Sequence, residues 1–208
     1  MNDDIEFISF DLDGTLIPKE FADEFWLDRL PELYSKKSGL SEKRAKRKLL
    51  EEYDDMGRED IRWYLPDYWF SRYEIDEDPK DILSRLRKKY DLYEDAKDII
   101  KELNRDYKLI ITSNGHELFI QKGLGDYKKY FFKLYSAVTD FSSSRKTSEI
   151  YNKVCEDLKV SPNKVIHIGD DFENDYLSSK KAGLISFYLD REDMNGDLQD
   201  LYELKDIL

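Results

Sequence analysis

Two aspartates one residue apart follow an apolar run near the start of the chain. Asp11 and Asp13 come directly after residues 5–10, and Gly14 follows them. The run is typical of a buried parallel strand, because its side chains are mostly apolar and either β-branched or aromatic. Carboxylates are costly to bury unless they are paired, hydrogen-bonded or bound to a metal. The segment therefore predicts either a ligand site at a strand end or an acidic turn in which Gly14 supplies the bend.

Further predicted strand ends and loops carry polar groups that could act together with these aspartates. They are Ser113 and Asn114 after one strand, Arg145 and Lys146 before a helix, and Asp170, Asp171 and Asp175 after another strand. Because the carboxyl ends of parallel strands meet at one edge of a doubly wound sheet, we expect these side chains to cluster. Crowded carboxylates need a positive charge to offset their repulsion, and oxygen-only ligands favour Mg²⁺ over zinc. A hydroxyl, amides and a lysine beside such a metal suit a phosphoryl group.

The elements that must position these residues alternate between apolar strands and helices. We predict strands over residues 5–10, 107–112, 134–138, 164–168 and 184–189, with helices between them. Residues 17–89 have helical patterns and little strand signal, and Pro31 predicts the end or a kink of the first helix there. The fold class is therefore α/β, with a doubly wound, mainly parallel, Rossmann-like sheet. We predict a core of residues 1–16 and 90–208, and a small α-helical domain, residues 17–89, inserted after strand 1.

Composition restricts the classes of protein that the chain can represent. It has 208 residues, a net charge of −12 and a single cysteine, Cys155. The negative charge argues against nucleic acid and anionic membranes as partners, and no apolar run approaches the roughly 20 residues of a membrane span. The lone cysteine fits a reducing compartment, and the acidic N-terminus is unlike a secretory signal. We therefore expect a cytoplasmic protein, with no prediction for its oligomeric state.

Four short motifs resemble those of the haloacid dehalogenase-like superfamily of hydrolases. They are Asp11-Leu12-Asp13-Gly14-Thr15, then Ser113, then Lys146, then Gly169-Asp170-Asp171-Phe172-Glu173-Asn174-Asp175. They occur in the family's order, each at the expected end of a predicted element, and the resemblance covers essentially the whole chain. The helical insertion after the first strand resembles the family's cap domain. Four motifs in order are a specific signal, whereas a single short match would be weak.

The resemblance implies a role for each matching residue. Asp11 is similar to the nucleophile that attacks phosphorus and forms an aspartyl-phosphate. Asp13 is similar to the general acid and base that serves the leaving group and then water. Lys146 resembles the cation that holds the nucleophile and the phosphoryl group, and Ser113 and Asn114 are expected to bind the phosphate. The expected substrate is a small phosphorylated metabolite.

The same resemblance implies a Mg²⁺ site. Asp170 and Asp11 are expected to be ligands, together with the backbone carbonyl of Asp13. Asp175 is expected to be a further ligand or a partner that orients one. Asp171 stands where the family commonly has serine or threonine, so it is either a ligand or a helix N-cap. Arg145 is an alternative to the neighbouring lysine, whose distance to the following helix fits better.

Asp13 separates the activities found within the family. Members that cleave carbon–halogen bonds lack this aspartate, whereas phosphatases and phosphomutases keep it, so the resemblance implies phosphoryl chemistry. We predict a hydrolase of small phosphate monoesters; a phosphomutase that uses the same residues is the alternative. A receiver-like phospho-aspartate signalling domain is a rival from another class, against which the helical insertion argues.

Aromatic and basic residues within 17–89 leave a second question open. Most of the aromatic residues Trp63, Tyr64, Tyr68, Trp69, Phe70 and Tyr73 are expected to form the insertion's core, and a minority could face the cleft and select substrates. Arg58, Arg62 and Arg72 could bind an anionic substrate or form exposed salt bridges. His167, within an apolar strand, is expected to be a hydrogen-bonded core residue, and His116 a surface or capping residue.

Overall fold

A parallel β-sheet forms the centre of the molecule. The computed structural model describes residues 4–193 and 195–208; residues 1–3 and 194, which the predicted core includes, lie outside this range. Within it, five parallel strands have the order β3-β2-β1-β4-β5. They are β1 (Phe7–Phe10), β2 (Lys108–Ser113), β3 (Phe131–Ser136), β4 (Val165–Gly169) and β5 (Ile185–Tyr188). The predicted α/β class with a doubly wound parallel sheet is confirmed.

Strand β1 is the central strand because its side chains suit burial on both faces. Phe7, Ile8 and Phe10 are buried, and Phe7 lies opposite Lys108 of β2 and Val165 of β4. The polar side chain in this strand, Ser9, is also buried and bonds to neighbouring strands on both sides. A continuous apolar run is typical of a strand covered by helices on both faces. Such a strand directs its carboxyl end, and hence Asp11, to the edge where ligand sites form.

Helices fill the chain between β1 and β2. They are α1 (Glu20–Glu24), a π-helical turn (Phe25–Arg29), α2 (Leu30–Ser38), α3 (Glu42–Met56), α4 (Pro66–Arg72), α5 (Pro79–Lys89) and α6 (Glu94–Leu103), with a 3₁₀ turn over Ile61–Tyr64. The sequence predicted that Pro31 ends or kinks the first helix. It does not end the helix, because helical structure continues to Ser38. Pro31 follows the π turn, in which the Leu30 N–H bonds to the Phe25 carbonyl, and lies in the first turn of α2. Proline has no backbone N–H to donate, but the first N–H groups of a helix have no intrahelical acceptor, so α2 loses no hydrogen bond.

The remaining helices cover the faces of the sheet. They are α7 (Glu117–Leu124), α8 (Ala137–Phe141), α9 (Ser148–Leu158), α10 (Ser178–Lys181) after a π turn (Phe172–Leu177), and α11 (Leu204–Ile207), with 3₁₀ turns over Gly125–Tyr130, Pro162–Lys164 and Leu201–Glu203. The third strand was predicted too far along the chain, since Val138 lies in α8. The Ser136 hydroxyl accepts a hydrogen bond from the Thr139 N–H and thereby starts that helix.

The two ends of the helical insertion lie side by side. The Tyr93 N–H donates to the Leu16 carbonyl at 3.0 Å. Nearby, the buried Glu24 carboxylate accepts hydrogen bonds from Arg29, Lys89 and Tyr90, so that the end of α1 is tied to the end of α5. None of the helices within the described ranges is long and apolar enough to cross a membrane.

Candidate active site

One cavity of about 570 Å³ lies at the carboxyl ends of β1, β2 and β4. Its walls include all of the predicted site residues, which are Asp11, Asp13, Ser113, Asn114, Lys146, Asp170 and Asp175. Residues separated by more than a hundred positions therefore meet, as the sheet topology requires. Lys19, Ala22, Asp23 and Arg58 of the helical insertion also line it. We call this space the catalytic cavity.

Asp11 leaves the end of β1 with its backbone fixed by the neighbouring strand. Its N–H donates to the Ile168 carbonyl at 2.9 Å, and its Oδ1 accepts a hydrogen bond from Lys146 Nζ at 2.5 Å. Burial raises the pKa of the Asp11 carboxyl well above its ordinary value; Lys146 opposes this, whereas Asp175 and Asp170 add to it. The carboxylate form of Asp11 thus depends on nearby positive charge, which a bound cation would increase.

Asp13 has the character of a proton donor at neutral pH. Burial raises the pKa of its carboxyl to about 7, and the negative charge of Asp170 contributes to the rise. Its Oδ1 is buried and has no hydrogen-bond partner among the described residues. The turn that follows requires glycine, because Gly14 has φ of +79° and a Cβ there would collide with the Asp170 carboxylate. A carboxyl group that is easily protonated and points into a cavity suits general acid and base chemistry.

Lys146 is a fully enclosed cation between two carboxylates. Its ammonium contacts Asp11 and Asp175, and it also donates to the Thr112 carbonyl at 3.3 Å. Burial alone would lower the pKa of Lys146, but the two carboxylates outweigh it and raise the pKa above its ordinary value. The neighbouring Arg145 instead pairs with Glu59 and is exposed, which supports the preference for Lys146 over Arg145.

Asp175 is held on all sides by protein donors. Its Oδ1 contacts Lys146, accepts from His167 Nε2 at 3.0 Å and lies 3.3 Å from the Tyr151 hydroxyl, while its Oδ2 accepts from the Asp171 N–H at 3.1 Å. Burial would raise the pKa of Asp175, yet Lys146 and His167 hold it well below the usual range. The side chain is therefore a fixed anion that orients Lys146.

His167 extends this network to the sheet, as expected for a satisfied core residue. Burial lowers its pKa, so the ring is neutral, and Nε2 carries the hydrogen that it donates to Asp175. Its Nδ1 then accepts from the Ser9 hydroxyl at 2.8 Å, and Ser9 in turn lies 3.0 Å from the Thr112 hydroxyl. The sequence indicated burial of His167 but gave no sign of this connection to the site, because no spacing rule links residues on different strands.

A group of three carboxylates could hold a metal ion. Asp11, Asp170 and Asp175 each offer an oxygen within 4.8 Å of the others. Burial raises the pKa of Asp170 as well, and Thr15 Oγ1 donates to its Oδ1 at 3.3 Å. Carboxylate oxygens without nitrogen or sulfur ligands suit a hard divalent cation. The donor set therefore fits the predicted metal. Lys19 Nζ contacts Asp170 Oδ2 at 2.5 Å and so competes with a metal ion for this oxygen; the sequence analysis did not identify Lys19.

The side chains beyond the second strand are arranged for binding. Ser113 is buried, and its Oγ accepts from the Gly115 N–H at 3.1 Å, which leaves the hydroxyl hydrogen available to donate to a ligand. Asn114 Oδ1 is buried with no partner in the described part of the chain. The open question about Asp171 is answered by its contacts: it accepts from the Glu173 and Asn174 N–H groups as a helix N-cap.

A smaller cavity of about 240 Å³ adjoins the first. Asp13, Asn114 and Gly115 line both spaces, and Trp26, Trp63, Tyr64 and Phe119 form aromatic walls of the smaller one. The expectation that a minority of the aromatic residues faces the cleft thus fits Trp63 and Tyr64. Trp69, Phe70 and Tyr73 are instead buried in the core. Trp26 and Phe119, from distant segments, were missed. Of the three arginines, Arg62 and Arg72 pair with Asp60 and Glu52, and Arg58 lies at the cavities.

Comparisons with known proteins agree with this geometry. The family model for haloacid dehalogenase-like hydrolases matches residues 5–183. The chain is similar in structure to a HAD phosphatase from Thermococcus onnurineus, with a TM-score of 0.81, 24% identity, and coverage of 98% of this chain and 97% of that one.

Two curated proteins of Escherichia coli (strain K12) are similar over parts of the sequence. GMP/IMP nucleotidase YrfG is 30% identical over 73 residues, which are 35% of this chain and 32% of that protein. The 5-amino-6-(5-phospho-D-ribitylamino)uracil phosphatase YigB is 28% identical over 138 residues, 65% of this chain and 47% of that protein. The chain thus matches about a third and about half of the length of these relatives.

The family match spans strands β1 to β4, the four motifs and all the residues that line the catalytic cavity. The family inferred from the motifs is thereby confirmed, and the receiver-like alternative is removed. The chain belongs to the haloacid dehalogenase-like hydrolases.

Proposed function

We propose that the protein is a Mg²⁺-dependent hydrolase of small phosphate monoesters that acts through an aspartyl-phosphate. The observation that carries this proposal is the pairing of two carboxyl groups with different properties at one strand end. Asp11 contacts the buried Lys146, and Asp13, whose pKa is about 7, can carry a proton into the same cavity. The ammonium in contact with Asp11 favours its ionised, nucleophilic form, whereas Asp13 Oδ1 has no hydrogen-bond partner among the described residues and can meet a departing oxygen.

The reaction follows from these two roles. A carboxylate oxygen of Asp11 attacks phosphorus, the bond from phosphorus to the ester oxygen breaks, and Asp13 gives its proton to the departing oxygen. In the second half, Asp13 takes a proton from water, the water oxygen attacks phosphorus, and the bond to Asp11 breaks. The products are an alcohol, inorganic phosphate and the original enzyme.

Other residues hold the charge that develops. Lys146 is positioned by Asp175 to contact both the nucleophile and a phosphoryl oxygen, and the Ser113 hydroxyl and Asn114 can bind the remaining phosphate oxygens. Asp11, Asp170 and the backbone carbonyl of Asp13 would hold the metal ion, which supplies positive charge to the phosphoryl oxygens. Asp175 is better suited to an orienting role, because both of its oxygens already accept hydrogen bonds from the protein.

Residues 17–89 are proposed to act as a cap over this site. Their side chains Ala22, Asp23 and Arg58 form one wall of the catalytic cavity, and the segment is joined to the core at adjacent points near Leu16 and Tyr93. Movement about these points would open the cavity for substrate entry and then exclude water during transfer. The names of the two curated relatives, a nucleotidase and a phosphatase, support a small phosphorylated substrate.

Asp11→Asn tests the proposal directly. We expect phosphate release from a panel of small phosphate monoesters to depend on Mg²⁺, to stop with EDTA, and to fall by at least about a thousandfold in this variant, because an amide is a poor nucleophile. Asp106→Asn is the matched control, since it makes the same change of charge at an exposed residue outside the cavity walls. Near-normal turnover by the Asp11 variant would refute the assignment, and an isomerised sugar phosphate without free phosphate would indicate a phosphomutase.

A further inference from the structure

The smaller cavity shares lining residues with the catalytic cavity and has four aromatic side chains in its wall. We call it the aromatic chamber and define it by its walls Trp26, Trp63, Tyr64 and Phe119. The Trp26 and Phe119 rings stack at 5.4 Å with an interplanar angle of 16°, and the Trp63 ring lies 6.0 Å from Trp26 at 43°. Trp26 and Phe119 are buried and stack on each other, whereas Trp63 and Tyr64 are half-buried. The ring surface available for contact with another flat group therefore lies mainly on Trp63 and Tyr64.

The chamber begins at the proton donor. Gly115 lines both cavities, and a Cβ at this position would lie 3.7 Å from Asp13 Oδ2 and 3.8 Å from Phe119 Cβ. At this point there is room for only about one atom between the Asp13 carboxyl and Phe119, so the acid and the aromatic wall lie close together. Because Asp13 must contact the departing oxygen, the carbon skeleton attached to that oxygen is directed towards the chamber.

Two polar groups stand at the same passage. Asn114 Oδ1 is buried without a partner in the described residues, so it can accept a hydrogen bond from a ligand. The Arg58 guanidinium lies over the Trp63 ring, 5.5 Å from its centre, and also lines the chamber. The chamber is smaller than the roughly 300 Å³ at which pockets for drug-sized ligands begin, so its size suits one ring system.

We infer that the aromatic chamber binds a planar aromatic or heteroaromatic ring in the leaving group of the phosphate monoester. The inference rests on the proposed function, because the ring reaches the chamber only if Asp13 serves the departing oxygen. The substrate class is thus a phosphate ester whose ring lies within a few bonds of the ester oxygen. A flat ring can pack against the half-buried Trp63 and Tyr64, whereas a puckered ring of equal size cannot stack.

Benzyl phosphate and cyclohexylmethyl phosphate are the matched probes. Both are esters of primary alcohols and have the same number of carbon atoms, but the ring is flat in the first and puckered in the second. Because the two alcohols also differ in acidity, ring recognition is measured by the change in the rate ratio between variants. We expect kcat/KM to favour the benzyl ester roughly 2- to 12-fold, which corresponds to the 0.5–1.5 kcal/mol typical of an aromatic pair. Trp63→Leu should bring this ratio close to one. Tyr68→Leu is the control, because Tyr68 lies in the same helical region outside the chamber walls, and it should keep the wild-type ratio.

The outcomes separate this inference from the proposed function. If no monoester of the panel releases phosphate, the proposed function fails; if others are hydrolysed and the benzyl ester is not, the chamber assignment is overturned. If both are hydrolysed with equal kcat/KM, or if the Trp63 and Tyr68 variants change the ratio alike, the phosphatase stands and the chamber assignment is overturned. Should Trp63→Leu not fold, tryptophan emission of the wild-type protein decides the matter. Benzylphosphonate should change that emission, since Trp26 and Trp63 line the chamber, and cyclohexylmethylphosphonate should not; equal responses would overturn the inference.

Discussion

Glu24 connects the two ends of the helical insertion, and its removal has a calculable effect on stability. Its side chain is only 7% exposed and accepts hydrogen bonds from Arg29, Lys89 and, at 2.6 Å, the Tyr90 hydroxyl. Burial alone would raise the pKa of Glu24, but these partners together lower it from 4.5 to about 2. A shift of this size corresponds to about 3 kcal/mol of folding free energy at neutral pH.

The sign of the pH dependence follows from the direction of the shift. A carboxyl whose folded pKa is depressed stabilises the protein above its unfolded pKa, and this contribution is lost as pH falls towards the folded pKa. The contribution of Glu24 should therefore decrease from about 3 kcal/mol at pH 7 to about 1.4 kcal/mol at pH 3. Arg29 and Lys89 are 44% and 58% exposed, so water can solvate them once their partner is gone, and little further cost is expected.

Urea unfolding of Glu24→Gln and wild type at several pH values measures this contribution. The difference in unfolding free energy should shrink by about 2 kcal/mol between pH 7 and pH 3. Glu32→Gln is the matched control: Glu32 also pairs with Arg29, but it is 33% exposed, and we expect a loss below about 1 kcal/mol. Equal losses in both variants, or a Glu24 difference that does not change with pH, would refute the argument.

Two further predictions concern the cations of the site. Lys146→Met leaves Asp11 and Asp175 buried without their common partner; it should abolish phosphate release and lower the unfolding free energy by roughly 3 kcal/mol or more, and denaturant unfolding that matches wild type would contradict this account. Lys19→Met removes a cation that is 63% exposed and contacts Asp170 at 2.5 Å. Because such a pair is worth up to about 1 kcal/mol, Mg²⁺ affinity in calorimetric titration should rise by no more than about fivefold, and weaker binding would show that Lys19 does not compete for Asp170.

The sequence predicted those parts of the site that depend on residue type and on strand ends. Asp11, Asp13, Ser113 and Asp170 each follow an apolar strand, and a parallel sheet necessarily brings such positions to one edge. The motif order then identified the family. Lys146 required a choice between adjacent cations, which its distance to the following helix favoured and its burial in the structure supports.

Features that depend on contacts between distant segments could not be predicted. Trp26 and Phe119 stack although they belong to different parts of the chain, and no periodicity relates them. The end of the third strand was misplaced because Val138 is equally compatible with a strand and a helix. There a signal did exist, since Ser136 three residues before Thr139 is a typical N-cap.

The position of β1 in the sheet has a consequence for how the chain must fold. Ser9 bonds to Thr112 and His167, which lie 103 and 158 residues further along. During synthesis this central strand leaves the ribosome long before either neighbour exists, and its apolar side chains have no sheet to join. Strand pairings between such distant residues make folding slow and leave aggregation-prone apolar segments exposed. The helices between β1 and β2 are synthesised before β2. Those whose buried side chains belong to the same core as Phe10 and Leu16 would cover the apolar side chains of β1 until its neighbouring strands exist.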